Sequence, residues 1–313
     1  RKLRARRAEK CFNIAMAKWN KVKIICTLGP ASSSPPLLGK LLEAGMDIAR
    51  LNFSHSKPEA NIKLALAARK TAAAKKLAFA ALADLPGPKL RLGKLHAPAV
   101  DLLRGEIWTL CTNPSGCKGK ALPFHHKKIL DSLRRGDTLY LADGVCRLRV
   151  IKTHGSGADC EVINPAAIHS GCGVNIVGAA VPLEAFTQRD AELMALAIKA
   201  GFEFTAISFV SNAQDMEKAR RFAKSRTNTP PMLVAKIERK QALHNLKEIV
   251  RASDAVMVAR GDLGVELETG KIPFAQKEII AECRRQGRPV IVATQMLESM
   301  THQPRPTRAE LTD

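Results

Sequence analysis

The sequence predicts an α/β protein, a TIM-type (β/α)8 barrel that carries a small antiparallel β-barrel domain as an insertion. Short, almost continuously apolar runs alternate with segments of helical spacing, and the long interval from Ala83 to Phe204 interrupts this rhythm. Polar residues directly follow most of the apolar runs. Buried parallel strands covered by helices show this pattern, and barrel enzymes carry their active sites at the C-terminal ends of the strands. An open doubly wound sheet is the alternative architecture.

The periodicity predicts individual elements of the barrel. The predicted strands are Val22–Cys26, Asp47–Leu51, Leu77–Ala83, Phe204–Val210, Met232–Ile237, Ala255–Ala259 and Pro289–Ala293. The predicted helices are Leu37–Ala44, Glu59–Lys75, Asp190–Ala200, Ala213–Ala223, Gln241–Arg251 and Phe274–Arg285. These strands are fewer than a closed barrel of eight needs. We therefore expect a fragment that lacks the last strand and helix.

The interrupting interval has the pattern of a separate β domain. Its alternating segments are separated by glycine, proline and asparagine, which favours antiparallel strands joined by turns. These segments are Glu106–Cys111, Thr138–Ala142, Arg147–Thr153 and Asp159–Ile163. The predicted organisation is a basic extension at 1–20, a first barrel part at 21–92, an inserted lid domain at 93–177 and a second barrel part at 178–313.

Composition limits the class of protein. The 313 residues are 46% hydrophobic, which supplies a core and excludes disorder of the whole chain. No run of about 18 apolar residues occurs, so no membrane span is predicted. The net charge of +21 attracts anions such as nucleic acid, anionic lipid or phosphorylated molecules. The eight cysteines have irregular spacing and no secretory leader precedes them, which predicts reduced thiols in the cytoplasm, with a trimmed organellar leader as the alternative.

Two strand ends carry the residues of a candidate metal site. Lys236 and Glu238 are two residues apart, so their side chains project to the same side of a strand, and Asp262 follows the next strand after Gly261. Two carboxylates suit Mg²⁺, whose other ligands come from substrate phosphates and water. A lysine beside that ion can stabilise charge on a transferred phosphoryl group or an enolate. A simple salt bridge of Lys236 with either carboxylate is the alternative.

Another strand end suggests a phosphate clamp. Arg50, Asn52 and Ser54 alternate, and Arg91 adds a second guanidinium. Arginine pairs supported by hydroxyl and amide donors bind phosphate well. An arginine packed over the barrel mouth beside a polar turn is the alternative. From its position alone, His55 is interpreted as a structural histidine.

Several long stretches of the chain closely resemble the pyruvate kinase family. They are Lys23–Pro30, Arg50–His55, Lys236–Glu238, Val258–Glu266, Ala293–Met300 and Pro306–Glu310. The resemblance runs in one order from about Lys21 to Asp313, and only the inserted domain matches loosely. It implies transfer of a phosphoryl group from phosphoenolpyruvate to ADP, giving pyruvate and ATP. It also implies a homo-oligomer, by resemblance a tetramer, when the protein is full length.

The resemblance assigns roles to the candidate residues. Glu238 and Asp262 would hold Mg²⁺ or Mn²⁺, and Lys236 would stabilise the transition state of phosphoryl transfer. Thr294, with a bound water, would lie near the methylene carbon that is protonated. The remaining assignments are Arg50 on the transferring phosphate, Gly261 and Ser208 on the substrate, and Asn52, His55 and Arg91 on the nucleotide side.

One departure from the family concerns the monovalent cation. Many members bind K⁺ through four oxygen ligands, and the corresponding positions here are Asn52, Ser54, Asp84 and Leu85. Leucine has no oxygen ligand, and the nearby family glutamate is Lys89 here. Because a fixed ammonium can replace the charge of K⁺, we predict activity that is independent of K⁺. A solvent-facing Lys89 is the alternative.

A second departure concerns the nucleotide. Cys172 occupies a position where the family commonly has a lysine that serves nucleotide phosphates, which leaves nucleotide preference open. The inserted domain holds five cysteines and several histidines, and buried thiols are a better interpretation than a zinc site.

Two other functions stay as alternatives. One is a different barrel enzyme that forms a Mg²⁺-enolate from phosphoenolpyruvate or pyruvate. The other is a non-catalytic basic relative that binds nucleic acid, which the aromatic content of only 4% disfavours.

Overall fold

The structure is a computed structural model that describes residues 22–54, 57–113, 120–142, 144–177 and 184–313. The chain divides into two compact units at Leu82 and Ala83. The predicted basic extension and His55 lie outside the described residues. Within the described ranges, no helix is long and apolar enough to cross a membrane.

The first unit is built from β–α repeats. Strand β1 (Ile24–Leu28) pairs in parallel with β2 (Met46–Asn52). Helix α1 (Pro35–Glu43) connects them, and α2 (Pro58–Ala74) follows β2. Both helices begin with proline in the first turn, where its missing N–H costs nothing. Strand β3 (Ala80–Asp84) contains the boundary between the units.

The second unit includes two sheets formed by the inserted segment. Strands β4 to β11 are Ala99–Leu102, Ile107–Cys111, Ala121–Pro123, Thr138–Leu141, Cys146–His154, Gly157–Asn164, Ala166–His169 and Val174–Val177. A short helix, α3 (Lys127–Leu130), lies between β6 and β7. The larger sheet has the order β11-β7-β8-β9-β5-β6, and β4 pairs with β10. Alternate residues such as Leu139, Leu141, Leu148 and Val150 are buried in their common core.

One pair in this domain differs from the antiparallel prediction. Strand β5 pairs in parallel with β6, with Thr109 opposite Ala121. The alternation of apolar and polar residues reports only which face is buried, so it does not distinguish parallel from antiparallel neighbours. Cys111, Cys146 and Cys160 are buried, and the described residues contain no group of three or more metal-ligating side chains. The domain boundaries at 92/93 and 177/178 stay predictions.

The rest of the second unit alternates parallel strands and helices. The strands are β12 (Phe204–Ile207), β13 (Met232–Ile237), β14 (Ala255–Ala259) and β15 (Val290–Ala293). They pair in parallel in this order, and β3 lies beside β12. The helices are α4 (Gln188–Lys199), α5 (Ala213–Arg226), α6 (Lys240–His244), α7 (Leu246–Ala252), α8 (Arg260–Glu266), α9 (Ile272–Arg285) and α10 (Arg308–Thr312). This alternation, with the inserted sheets, confirms the predicted α/β class.

One predicted helix is interrupted in the structure, and one predicted strand ends early. The helix predicted over Gln241–Arg251 is interrupted at Asn245, because the side-chain amide of Asn245 donates a hydrogen bond to Ser211 O at 2.8 Å. The strand predicted over Phe204–Val210 ends at Ile207. Phe209 has a φ of 57°, which takes the chain out of the extended conformation. That early end places Ser208 and Phe209 in the candidate site.

Candidate active site

A buried lysine forms the centre of the site at the end of β13. The Nζ of Lys236 lies 2.7 Å from Glu238 Oε1 and 3.1 Å from Asp84 Oδ1. It also donates a hydrogen bond to Ser208 Oγ at 2.8 Å. All four residues are buried, with 8% of Lys236 and 1% of Glu238 exposed. The ends of three neighbouring strands therefore supply one compact charged cluster.

The neighbouring backbone fixes this cluster. Ser208 Oγ donates to the carbonyl of Leu85 at 2.7 Å while accepting from Lys236, so its hydroxyl hydrogen is already committed. The backbone N–H of Phe209 donates to Glu238 Oε2 at 2.7 Å. A left-handed residue at this point turns its N–H toward the carboxylate. Lys236 and Glu238 are thus oriented by contacts within the protein.

Electrostatics keep the lysine charged. Burial opposes the charge of Lys236, but the carboxylates of Glu238 and Asp84 outweigh it and raise its pKa. For Glu238, burial raises the pKa to about 7, Lys236 opposes this rise, and the negative charge of Asp262 adds to it. A second cation near Glu238 and Asp262 would relieve this accumulation of negative charge.

The donor set fits a divalent cation. Glu238 Oε1 is buried, and its contact in the structure is the Lys236 ammonium at 2.7 Å. Asp262 is exposed on α8, close enough to influence Glu238 through its charge. Two carboxylates, with substrate oxygens and water completing the shell, are the usual protein ligands of Mg²⁺. Glu238 and Asp262 could therefore hold the predicted ion.

The end of β15 approaches the start of α8. A Cβ atom added to Gly261 would lie 3.2 Å from Thr294 Cγ2, so glycine permits this close approach. Thr294 is exposed to solvent. The predicted substrate-side residues Gly261, Asp262 and Thr294 are thus brought together in the second unit.

Lys89 is half-buried and is influenced by the charges of the site. Burial and the nearby charge of Arg91 lower its pKa, while the negative charges of Asp262 and Asp84 act in the opposite direction. This environment disfavours the alternative in which Lys89 points to bulk solvent.

Arg91 contacts the inserted domain. Its Nη1 donates to the carbonyl of Gly171 at 2.8 Å, and its backbone forms a bridge with Gly173. Cys172, between those glycines, is half-buried, and its carbonyl accepts from Leu92 N at 3.0 Å. Arg91 therefore lies beside the cysteine that replaces the family lysine.

The remaining predicted residues belong to the first unit. Arg50 Nη1 donates to Thr27 Oγ1 at 2.7 Å, which ties the ends of β1 and β2 together. Asn52 Oδ1 accepts from the backbone N–H of Ser54 at 2.9 Å, and the buried Asn61 donates to Asn52 O at 3.0 Å. Arg50 and Asn52 thus lie at the end of β2, and Ser54 follows directly after it; the phosphate clamp stays a prediction.

Sequence reasoning noted Arg260 at a strand end with Gly261 and Asp262 but gave Arg260 no role. Its Nε donates to Ala293 O at 2.9 Å and its Nη2 donates to Thr294 O. The available signal was its position, directly after the fully buried strand β14, where a charged residue without a role is unusual. Reasoning from sequence also placed Asp84 only in the monovalent-cation region, whereas its carboxylate contacts Lys236.

The parallel strands, their helices and the inserted sheets define an α/β barrel class of protein with an inserted domain. The family model described as the barrel domain of pyruvate kinase matches residues 19–313. The chain belongs to the pyruvate kinase family.

Individual relatives agree with this assignment. A pyruvate kinase of Thermococcus litoralis is 40% identical over 294 residues, which are 94% of this chain and 62% of the relative. One of Agrobacterium vitis is 41% identical over 93% of this chain and 60% of the relative. The crystal structure of a pyruvate kinase from Cryptosporidium parvum superposes with a TM-score of 0.87 and 34% identity, covering 93% of this chain and 61% of the other. The chain thus spans about three fifths of the length of these relatives.

Proposed function

We propose that the protein transfers the phosphoryl group of phosphoenolpyruvate to ADP, producing pyruvate and ATP. The observation that carries this proposal is the buried Lys236, kept charged by Glu238 and Asp84 and oriented by Ser208. Phosphoryl transfer needs little covalent help from a protein and depends on positioned positive charge. Membership of the pyruvate kinase family supports the same reaction.

In this proposal, Lys236 stabilises charge that develops on the phosphoryl oxygens as the bond to the enolate oxygen breaks. Its position is already fixed, so no side-chain reorganisation is needed during the step. By family resemblance, Arg50 contacts the same phosphoryl group. Ser208 holds the lysine in place, and its hydroxyl lies at the substrate side of the site.

Glu238 and Asp262 would hold Mg²⁺ or Mn²⁺. The bound ion would supply Lewis-acid stabilisation of the substrate carboxylate and of the developing enolate oxygen. Gly261 has no side chain of its own, and its backbone would bind the substrate carboxylate. Thr294, beside it, would direct a proton to the methylene carbon once the phosphoryl group has left.

The nucleotide would bind on the side of Asn52, His55 and Arg91. Arg91 is the residue of this group that contacts the inserted domain, through Gly171. Because Cys172 offers no positive charge, we expect weaker binding of nucleotide phosphates than a lysine there would give. A Cys172→Lys variant should lower the KM for ADP, and an unchanged KM would contradict this assignment.

We further propose that activity does not require K⁺. The buried Leu85 provides no oxygen ligand, and the half-buried Lys89 ammonium acts on Asp84 and Asp262 through its charge. Turnover in K⁺ should equal turnover in choline, whereas a Lys89→Glu variant should become strongly activated by K⁺. Strong activation of the wild-type enzyme by K⁺ would refute this proposal.

The proposal as a whole is tested by ADP-dependent release of pyruvate from phosphoenolpyruvate. The complete gene product is assayed with Mg²⁺, and its oligomeric state is measured in the same preparation. We expect turnover by a homo-oligomer, which for a glycolytic reaction would act in the cytoplasm. A folded, Mg²⁺-binding protein without turnover would favour a different enolate reaction. A salt-sensitive nucleic-acid complex without turnover would favour the binding alternative.

A further inference from the structure

Arg260 makes contacts that none of the roles above explains. It begins α8, and its side chain is only 10% exposed. Besides the carbonyls of Ala293 and Thr294, its guanidinium contacts Met296 Sδ at 3.1 Å and pairs with the Asp313 carboxylate. A planar guanidinium can satisfy several acceptors at once, which an ammonium cannot do in the same geometry.

The segment that Arg260 holds has an unusual backbone. Thr294 has a φ of 76°, Gln295 a φ of 51° and Leu297 a φ of 54°. The left-handed region is unfavourable for residues other than glycine, and especially for a β-branched threonine. Such conformations persist only where surrounding contacts enforce them. The hydrogen bonds from Arg260 to two successive carbonyls are contacts of this kind.

The same arginine directly precedes the residues that face Thr294. Gly261 and Asp262 follow it in α8, and the gap between Gly261 and Thr294 is too small for a Cβ to enter without a shift. Any displacement of the β15 end relative to α8 therefore alters the distance from Thr294 to the substrate side. Arg260 is the side chain that links these two segments.

We propose that Arg260 is a positioning residue that fixes Thr294 against Gly261 and Asp262, and so serves proton transfer more than phosphoryl transfer. The inference rests on the proposed function. In the step concerned, the π electrons of the enolpyruvate C=C bond form a C–H bond at the methylene carbon with a proton given up by a water at Thr294, and the enolate oxygen becomes the ketone oxygen. The phosphoryl-transfer residues are held independently, because Lys236 and Glu238 are fixed by Ser208, Asp84 and Phe209.

Two variants of Arg260 and one control test this inference in the complete gene product. Arg260→Lys keeps the charge but cannot hold both carbonyls, and Arg260→Met removes every polar contact. The matched control is Arg220→Met. Arg220 also bridges a carboxylate and a carbonyl, Asp254 Oδ2 at 3.0 Å and Ala252 O at 2.8 Å, but it does so ahead of the first residue of β14.

Three quantities are measured for each protein: ATP formation from phosphoenolpyruvate and ADP, deuterium exchange into the methyl group of added pyruvate in D₂O with Mg²⁺ and without phosphoenolpyruvate, and thermal unfolding. We expect both Arg260 variants to lose methyl exchange by about 10²-fold, the penalty for misplacing a reacting group by about 1 Å, with a much smaller loss of ATP formation. Arg220→Met should lower the unfolding temperature and leave the ratio of the two rates unchanged.

The outcomes separate the two proposals. The positioning role is overturned if folded Arg260→Lys keeps the wild-type ratio of methyl exchange to ATP formation. This holds whether both rates fall equally or neither rate falls. If Arg260→Met does not fold, the lysine variant alone decides. Absence of both reactions in the wild-type protein overturns the proposed function instead.

Discussion

Removing the hydroxyl of Ser208 should affect stability and turnover together. Ser208 Oγ donates to Leu85 O and accepts from the Lys236 ammonium, so Ser208→Ala breaks one neutral and one charge-assisted hydrogen bond in a buried site. A neutral hydrogen bond contributes about 1 kcal/mol and one to a charged group about 1.5–3 kcal/mol. We expect the free energy of unfolding to fall by about 2.5–4 kcal/mol on the same scale.

Ser253→Ala is the matched control. Ser253 is also fully buried, and its hydroxyl donates to Ile249 O at 2.7 Å. Among the described residues, its side-chain partner is this neutral carbonyl and not a charged group. This variant should lose about 1 kcal/mol and keep full turnover. Urea unfolding measures both free energies, and ADP-dependent pyruvate release measures turnover. Equal stability losses, with turnover unchanged in both variants, would refute the orienting role of Ser208.

Two further predictions concern close packing and thiol reactivity. Gly261→Ala places a Cβ 3.2 Å from Thr294 Cγ2, so the KM for phosphoenolpyruvate should rise and kcat should fall. The control is Gly270→Ala, whose added Cβ meets open space and should leave both constants unchanged. An active Gly261→Ala enzyme with wild-type constants would contradict the assigned substrate position. Burial raises the pKa of Cys160 to about 12, so alkylation at pH 8 should leave Cys160 unmodified while the partly exposed Cys172 reacts, as peptide mass analysis will report. Modification of Cys160 in the native protein would contradict its buried position.

Much of the fold could be predicted because local patterns specify it. Strands β13 and β14 have the predicted bounds, Met232–Ile237 and Ala255–Ala259, since each is a mostly apolar run that a charged residue follows, and Lys236 is the one charged residue within them. The break at Asn245 could not be predicted, because it depends on a hydrogen bond to Ser211, which lies far away in the sequence. The parallel pairing of β5 with β6 could not be predicted either, because the alternation of apolar and polar residues reports only which face of a strand is buried.

The candidate site was also predictable only in part: local spacing predicted some contacts, and contacts between distant residues were not predicted. The spacing of Lys236 and Glu238 predicted that their side chains share one side of a strand, and the structure places them 2.7 Å apart. The contact of Asp84 with Lys236 joins strands that are distant in sequence, so no local pattern reports it. Arg260 was given no role because its partners are backbone carbonyls, which have no signature in the amino-acid sequence.

The central claim is that Lys236 stabilises phosphoryl transfer while Glu238 binds the divalent cation. Its most direct test is pyruvate release by Lys236→Met and Glu238→Gln across a Mg²⁺ titration, with Lys218→Met as the control. Lys218 also forms an ion pair, 2.7 Å from Glu184, but it is exposed. We predict that Lys236→Met lowers turnover by orders of magnitude with Mg²⁺ binding retained, that Glu238→Gln shifts the titration to higher Mg²⁺, and that Lys218→Met changes neither. Equal and mild effects of the two site variants would contradict the assigned roles.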